Sequence, residues 1–340
     1  MVAIGGGTGL STLLMGLRDH VGTADRPGKP DGRIADLTAV VTVTDDGGSS
    51  GRLRKELNML PPGNIRNCVV ALSEDQALLA RLFQYRFQGD SALQGHNFGN
   101  LFLAALTGVT RDFAEAVKLS SEILKTRGRI FPATTADVQL EAIMHDGSRV
   151  RGETSITASQ KRITRLEMIP ADVPPMQETL EAIAQADLIT IGPGSLFTSL
   201  IPNVLVHGIP EAIAASPATK VFVCNLMTQA NESLGLSDSE HIRAIYKHAG
   251  SPIFDCALLN GMPPSPEMKA KYALEGANQI LMDTERVEAL GVTPVFGNYL
   301  FEENGVARHA FHTIAKDLLD MARGVSRQSS VASRQLSVGS

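Results

Sequence analysis

Three times in this chain a short, mostly apolar segment runs straight into a glycine-rich turn. Val2-Ala-Ile4 leads into Gly5-Gly-Gly-Thr-Gly9, Leu37 to Val43 leads into Asp45-Asp-Gly-Gly-Ser-Ser-Gly51, and Leu188 to Ile191 leads into Gly192-Pro-Gly-Ser195. Short apolar runs without polar alternation suit strands buried on both faces, the habit of parallel sheets. Glycine at the carboxyl end of such a strand lets backbone N–H groups come close to a ligand. In open α/β sheets that edge is where ligands bind. The pattern predicts a three-layer α/β core with a mainly parallel sheet and a site for a phosphorylated, nucleotide-like ligand.

The stretches between the turns support that architecture. Leu10, Leu13, Leu14 and Leu17 have helical spacing behind the first loop. A polar, Pro/Gly-rich connection covers residues 22–33, and Gly47 to Gly51 read as a turn. Ile65, Val69, Leu72, Leu79 and Leu82 predict one helix from about Asn64 to Phe83, followed by a buried helix at Leu101 to Leu106. Asp112 and Glu115 have capping-box spacing for a helix to about Lys125, as do Ser237 and Glu240 for one to about His248. Residues 134–170 change character: Val138 to Met144, an Asp146-Gly147 turn and Arg149 to Ile156 predict a hairpin, with Ile163 to Ile169 a third strand. This reads as a β insertion on one domain spanning 1–324. Further on, strands are expected at Lys220 to Asn225, Ile253 to Leu259 and Ile280 to Met282. Helices are expected at Glu178 to Ala186, at Glu267 to Leu274 and finally from Arg308 to Ala322. The Ser/Arg/Gln-rich residues 325–340 predict a disordered tail.

Composition narrows the functional classes. Of the 340 residues, 43% are hydrophobic and 20% charged, ordinary for a globular protein. A net charge of −5 argues against a broad nucleic-acid surface. No apolar run reaches the ~18 residues of a membrane span, and the start at Val2 leaves no room for a signal peptide. Cys68, Cys224 and Cys256 lie far apart among apolar neighbours, which predicts buried thiols and a cytoplasmic location.

The loops carry the chemistry. Gly6, Gly7, Thr8 and Gly9 open a helix whose N-terminal N–H groups favour anions. They match neither a Walker A motif nor the full dinucleotide fingerprint. Asp45 and Asp46, behind a buried strand, are candidate Mg²⁺ ligands. Asp45 also stands where a ribose-binding acid of a dinucleotide oxidoreductase would. Pro61-Pro-Gly-Asn64-Ile-Arg66-Asn67 is a loop-to-helix junction where Asn64 is either a cap or, with Asn67, a ligand contact. Gly95-His96-Asn97-Phe-Gly-Asn100 offers an imidazole and amides for hydrogen bonding. Gly192, Gly194 and Ser195 form a second phosphate cradle, and Asn225, Thr228 and Gln229 suit a sugar or a base. Tyr272 offers an aromatic face. Arg308, read as opening the last helix, is a cation that a bound diphosphate would neutralise.

Six of these motifs, in order from Gly5 to Gln229, resemble the YvcK family of bacterial gluconeogenesis factors, which is related to the 2-phospho-L-lactate transferases of the CofD family. The resemblance runs over about residues 2–320. It implies a Rossmann-like core that binds a UDP-sugar such as UDP-N-acetylglucosamine or UDP-glucose, and a regulatory role in cell shape and growth on gluconeogenic carbon. Lys269-Ala-Lys-Tyr272 and Arg308-His309 match segments that contribute to UDP-sugar binding. Homo-oligomers are also implied, while the protein partner is left open. The transferase relatives imply the alternative, Mg²⁺-dependent transfer of a phospho-acyl group from a nucleotide diphosphate donor to a flavin-like alcohol through Asp45 or Asp46. A scaffold with a vestigial pocket is the third reading. Asn64 stands where many relatives carry Asp, and a neutral amide is the poorer Mg²⁺ ligand.

Overall fold

The computed structural model describes residues 1–22, 33–74, 76–159, 161–230 and 232–322. Most of the 22–33 connection and the tail at 325–340 lie outside these residues. Twelve strands occur in chain order among them. They are β1 (Val2–Gly5), β2 (Thr38–Val41), β3 (Arg129–Pro132), β4 (Gln139–Met144), β5 (Arg149–Arg151), β6 (Ile163–Ile169), β7 (Leu188–Ile191), β8 (Thr219–Val223), β9 (Cys256–Asn260), β10 (Thr293–Gly297), β11 (Leu300–Glu303) and β12 (Val306–His309).

Seven of them form one sheet in the order β10-β9-β8-β7-β1-β2-β3. Every neighbouring pair in it is parallel. β1, β2 and β7 are buried along their whole length, which explains their unbroken apolar character. From β1 the chain winds outward to β2 and β3, returns to β7 on the other side of β1, and continues to β10. The order reverses between β1 and β7, which places a switch-point crevice at the carboxyl ends of these two strands. The first helix, Gly7–Arg18, buries Leu10, Leu13, Leu14 and Leu17, and its Gly16 lies against the Phe311 carbonyl at the start of the last helix.

The insertion is a three-stranded antiparallel sheet in the order β5-β4-β6. It differs from the sequence expectation in one respect that matters below. The second hairpin strand stops at Arg151; Gly152 turns with φ +93° and a helix, Glu153–Ala158, begins.

Other expectations need correction. Gly47 to Gly51 is not only a turn, because a helix spans Gly48–Leu57. The helix expected over Asn64 to Phe83 is two helices, Gly63–Leu72 and Gln76–Gln84. Ser73 breaks them apart: its backbone is extended, bridges Thr126, and its hydroxyl donates to the Leu124 carbonyl. Ile65, Val69 and Leu72 are buried, but Leu82 is exposed. Ile280 to Met282 is not a strand; only Gln279 bridges Met227. The last helix is Phe311–Ala322, and Arg308 belongs to β12, paired with Phe301 of β11. Cys68 and Cys224 are buried, whereas Cys256 is partly exposed. The full Ser237–Glu240 capping box is present, and Asp112 caps its helix through the Glu115 N–H at 2.7 Å. No described helix is long and apolar enough to cross a membrane.

Candidate functional site

The loops after β1 and β7 meet at the crevice where the strand order reverses. Contact is so close that a Cβ on Gly9 would lie 2.3 Å from the Pro193 carbonyl oxygen. Only glycine allows the first turn of the Gly7–Arg18 helix to rest on the Gly192-Pro-Gly turn. A cleft of about 450 Å³ opens there. Gly6, Gly7, Thr8, Gly9, Gly194, Ser195, Asn225, Thr228, Gln229 and Tyr272 all line it, so the structure brings together ten residues singled out in the sequence. Gly192 sits one step behind, against the Val223 carbonyl.

Many of the polar groups here hold the site's shape. Asn225 accepts from the Gly194 N–H at 3.1 Å and donates to the Gly194 carbonyl at 2.8 Å, fixing the second glycine turn by its backbone. Its amide therefore serves the loop in place of the sugar or base contact expected of it. Thr228 is tied to Asn278 in the same way, accepting from its N–H at 2.9 Å and donating to its carbonyl at 3.2 Å. Gln229 donates to Ser195 Oγ at 3.0 Å, while its own Oε1 is buried without a partner. Asn64 accepts from the Gly7 N–H at 3.1 Å and donates to the Thr42 carbonyl at 3.3 Å, so this amide clips the first glycine loop to the chain after β2.

That leaves the N–H groups of Thr8 and Gly9, in the first turn of a helix where no internal acceptor exists, facing the cleft. The second loop is different. Glu232, only 8% exposed, accepts from the Thr198 N–H at 2.9 Å. It also interacts with the Phe197 N–H and the Ser195 hydroxyl. An internal carboxylate thus occupies the helix N-terminus at Leu196–Val204 where a phosphate was expected. Burial raises the Glu232 pKa, partly offset by these hydrogen bonds. No sequence signal links Glu232 to Thr198, 34 positions away.

Asp45 and Asp46 diverge. Asp45 accepts from the Gly47 N–H at 2.9 Å. Asp46 accepts from the Thr154 N–H at 2.9 Å and the Thr154 hydroxyl at 2.7 Å, capping the insertion helix Glu153–Ala158 from another element. Glu153, which that helix delivers to the cleft wall, was missed because the segment read as a strand. Burial, then the charges of Asp45 and Asp46, push its carboxyl up to about 8, and its Oε2 is buried without a partner. Among the described residues no three His, Cys, Asp or Glu side chains converge on one point. In the Asp45–Asp46 pair, Oδ1 of each carboxylate is engaged by an N–H group.

Four predicted contacts lie elsewhere. His96 and Asn97 are 3% exposed and knit two helices together. The Ser49 hydroxyl meets His96 Nδ1 at 3.1 Å and accepts from the Asn97 N–H and from Asn100 Nδ2. Asn97 caps the Phe98–Thr110 helix through Asn100 N–H, and Asn67 accepts from Arg66 at 2.7 Å. Arg308 is half-exposed and paired with Glu303 at 3.3 Å. Alternation along β12 explains why: Ala307 and His309 face the cleft, so Arg308 points to the other side. His309 donates from Nε2 to the Cys224 carbonyl at 3.1 Å, and burial pushes its pKa down to about 4, so it is neutral at physiological pH. No lysine or arginine is among the lining residues.

A parallel sheet of this order, with glycine loops meeting at its reversal, defines the class of α/β proteins that bind nucleotide-type ligands at the switch point. The family described as 2-phospho-L-lactate transferase CofD matches residues 1–300. The gluconeogenesis factor of Halalkalibacterium halodurans is 46% identical over 94% of this chain and 95% of its own length. That of Bacillus subtilis is 44% identical over 94% of this chain and 96% of its own. A crystal structure of a Bacillus halodurans protein superposes with a TM-score of 0.87 at 46% identity, covering 94% of this chain and 98% of that one. The chain belongs to the gluconeogenesis factors of the CofD family.

Proposed function

We propose that this protein is a regulatory protein that binds a UDP-sugar, such as UDP-N-acetylglucosamine, in the cleft at the β1–β7 reversal, and supports growth and cell shape on gluconeogenic carbon in the cytoplasm. The observation that carries the reading is the meeting of Gly6–Gly9 and Gly194–Ser195 on one cleft, with Tyr272 on its wall. The diphosphate rests on the N–H groups of Thr8 and Gly9 and on nearby hydroxyls. With no cation among the lining residues, the anion is held by oriented dipoles. Tyr272 supplies a face for uracil or sugar.

Calorimetry with UDP-N-acetylglucosamine, UDP-glucose and NAD tests this directly. Saturable binding of a UDP-sugar is expected; binding of NAD alone would replace the reading with an oxidoreductase. The second reading, phospho-acyl transfer, is favoured by one observation, the buried Glu153 lying near enough to Asp45 and Asp46 to feel the charge of both. Its test is release of GMP from a lactyl-diphosphoguanosine donor, lost in Asp45→Asn.

A further inference from the structure

Away from the cleft, Arg66 stands in a place that disfavours a cation. It closes the first turn of its own helix, Gly63–Leu72, and its side chain lies over the first turn of another, Phe98–Thr110. Its stem is set so tightly there that a Cβ on Gly99 would come within 2.8 Å of Arg66 Cγ and Cδ. Both helix starts carry the positive end of a macrodipole. The guanidinium is half-buried, and its hydrogen-bond partners are neutral: Asn100 Oδ1 at 3.0 Å and Asn67 Oδ1 at 2.7 Å. Its Nε–H is buried with no partner.

Further cations gather at the same point. Arg86 bridges Asn97, the cap of the Phe98–Thr110 helix, and donates to the Gly95 carbonyl at 2.6 Å. Arg52 donates to the carbonyls of Gln94 and Ala92 at 2.7 and 3.0 Å. Among the described residues, neither Arg66 nor Arg86 makes an ion pair, and Arg52 has only Glu56 at 3.9 Å. Asp45 is near enough to favour the charge on Arg66 without touching it, while Arg86 opposes it. Partly buried cations are ordinarily matched by an anion.

We propose that Arg66 and Arg86 form a second anion site beside the start of the Phe98–Thr110 helix, which takes a phosphate-class dianion, either free phosphate or the monoester group of a small molecule. Two guanidinium groups together favour a dianion over a monocarboxylate.

The test is calorimetry and thermal melting of the full chain at fixed ionic strength, with inorganic phosphate, glycerol 3-phosphate and acetate as probes. Saturable binding of phosphate is expected, with an affinity at least fivefold weaker in Arg86→Gln and in Arg66→Gln. Arg86 is exposed, so its variant should fold even if that of Arg66 does not. Tighter binding of glycerol 3-phosphate than of phosphate would assign the site to a monoester, and the reverse to the free ion. Acetate binding as strongly as phosphate, no saturable phosphate effect, or an effect undiminished in Arg86→Gln would each overturn the proposal. UDP-N-acetylglucosamine affinity, measured in chloride, should be unchanged in Arg86→Gln. Failure of the cleft reading would show there, in the wild type, independently of the phosphate result.

Discussion

At the residue scale, the amide of Asn64 uses both of its ends, accepting from Gly7 N–H and donating to the Thr42 carbonyl. A carboxylate cannot donate, so Asn64→Asp would set an oxygen against the Thr42 carbonyl. Loss of roughly 1–2 kcal/mol is expected, read by urea unfolding at pH 7; an unchanged midpoint would mean the clip is dispensable. Glu153 gives a pH dependence. Its carboxyl has a folded pKa of about 8 against an unfolded value near 4.5, so the folded state holds the proton more tightly. The resulting stability is full below the unfolded value and is lost as pH rises through about 8. Glu153→Gln should flatten that decline between pH 5 and 9. His309 works in the opposite sense: its pKa falls from 6.5 to about 4 on folding, so its contribution is present above 6.5 and lost as pH falls toward 4.

Among the elements, the β11–β12 hairpin closes the cleft from the carboxyl-terminal side. It is held there by Tyr272, whose hydroxyl accepts from the Ala307 N–H at 3.1 Å. Tyr272→Phe keeps the ring but releases β12, at a cost of about 1 kcal/mol. Faster amide exchange at Ala307 to His309 and weaker UDP-N-acetylglucosamine binding are the expected results. Unaltered exchange would show that the hairpin is held by other contacts. The elements read correctly from sequence were those with local determinants. The Asp112 and Ser237 caps act over three residues, and the buried strands β1 and β7 announce themselves by composition. Those misread depend on distant partners. Glu153–Ala158 is a helix because Asp46, 108 positions away from Thr154, caps it, and Ser73 is extended because Leu124 and Thr126 hold it.

For the whole molecule, the reversal of strand order between β1 and β7 decides where a ligand can sit, since both glycine loops belong to it. Ligand binding there should stabilise the entire fold, by roughly 2.7 kcal/mol at a hundredfold excess over Kd. Saturating UDP-N-acetylglucosamine is accordingly expected to raise the melting temperature of the wild type. Gly9→Ala, which would force a Cβ against the Pro193 carbonyl, should remove that rise by driving the two loops apart. A full ligand-induced rise in a well-folded Gly9→Ala protein would place the ligand away from this junction.

By itself the sequence determined the α/β class, the parallel sheet and most of the cleft, because each rests on features a few residues long. Apolar strands followed by glycines mark a buried sheet edge, and nine of the ten lining residues singled out in the sequence lie in such turns or just beyond a later strand, Tyr272 being in a helix. Only the tertiary structure decided the use of the individual polar groups. Asn225 and Thr228 are spent on backbone, and Glu232 fills the helix start expected for phosphate. His96 and Asn97 are turned into a buried interhelical network. Arg308 is turned outward and His309 inward by the alternation of a strand that was read as a helix. A side chain's partner is fixed by what folds against it, and contacts across 30 to 110 positions leave no mark on local spacing.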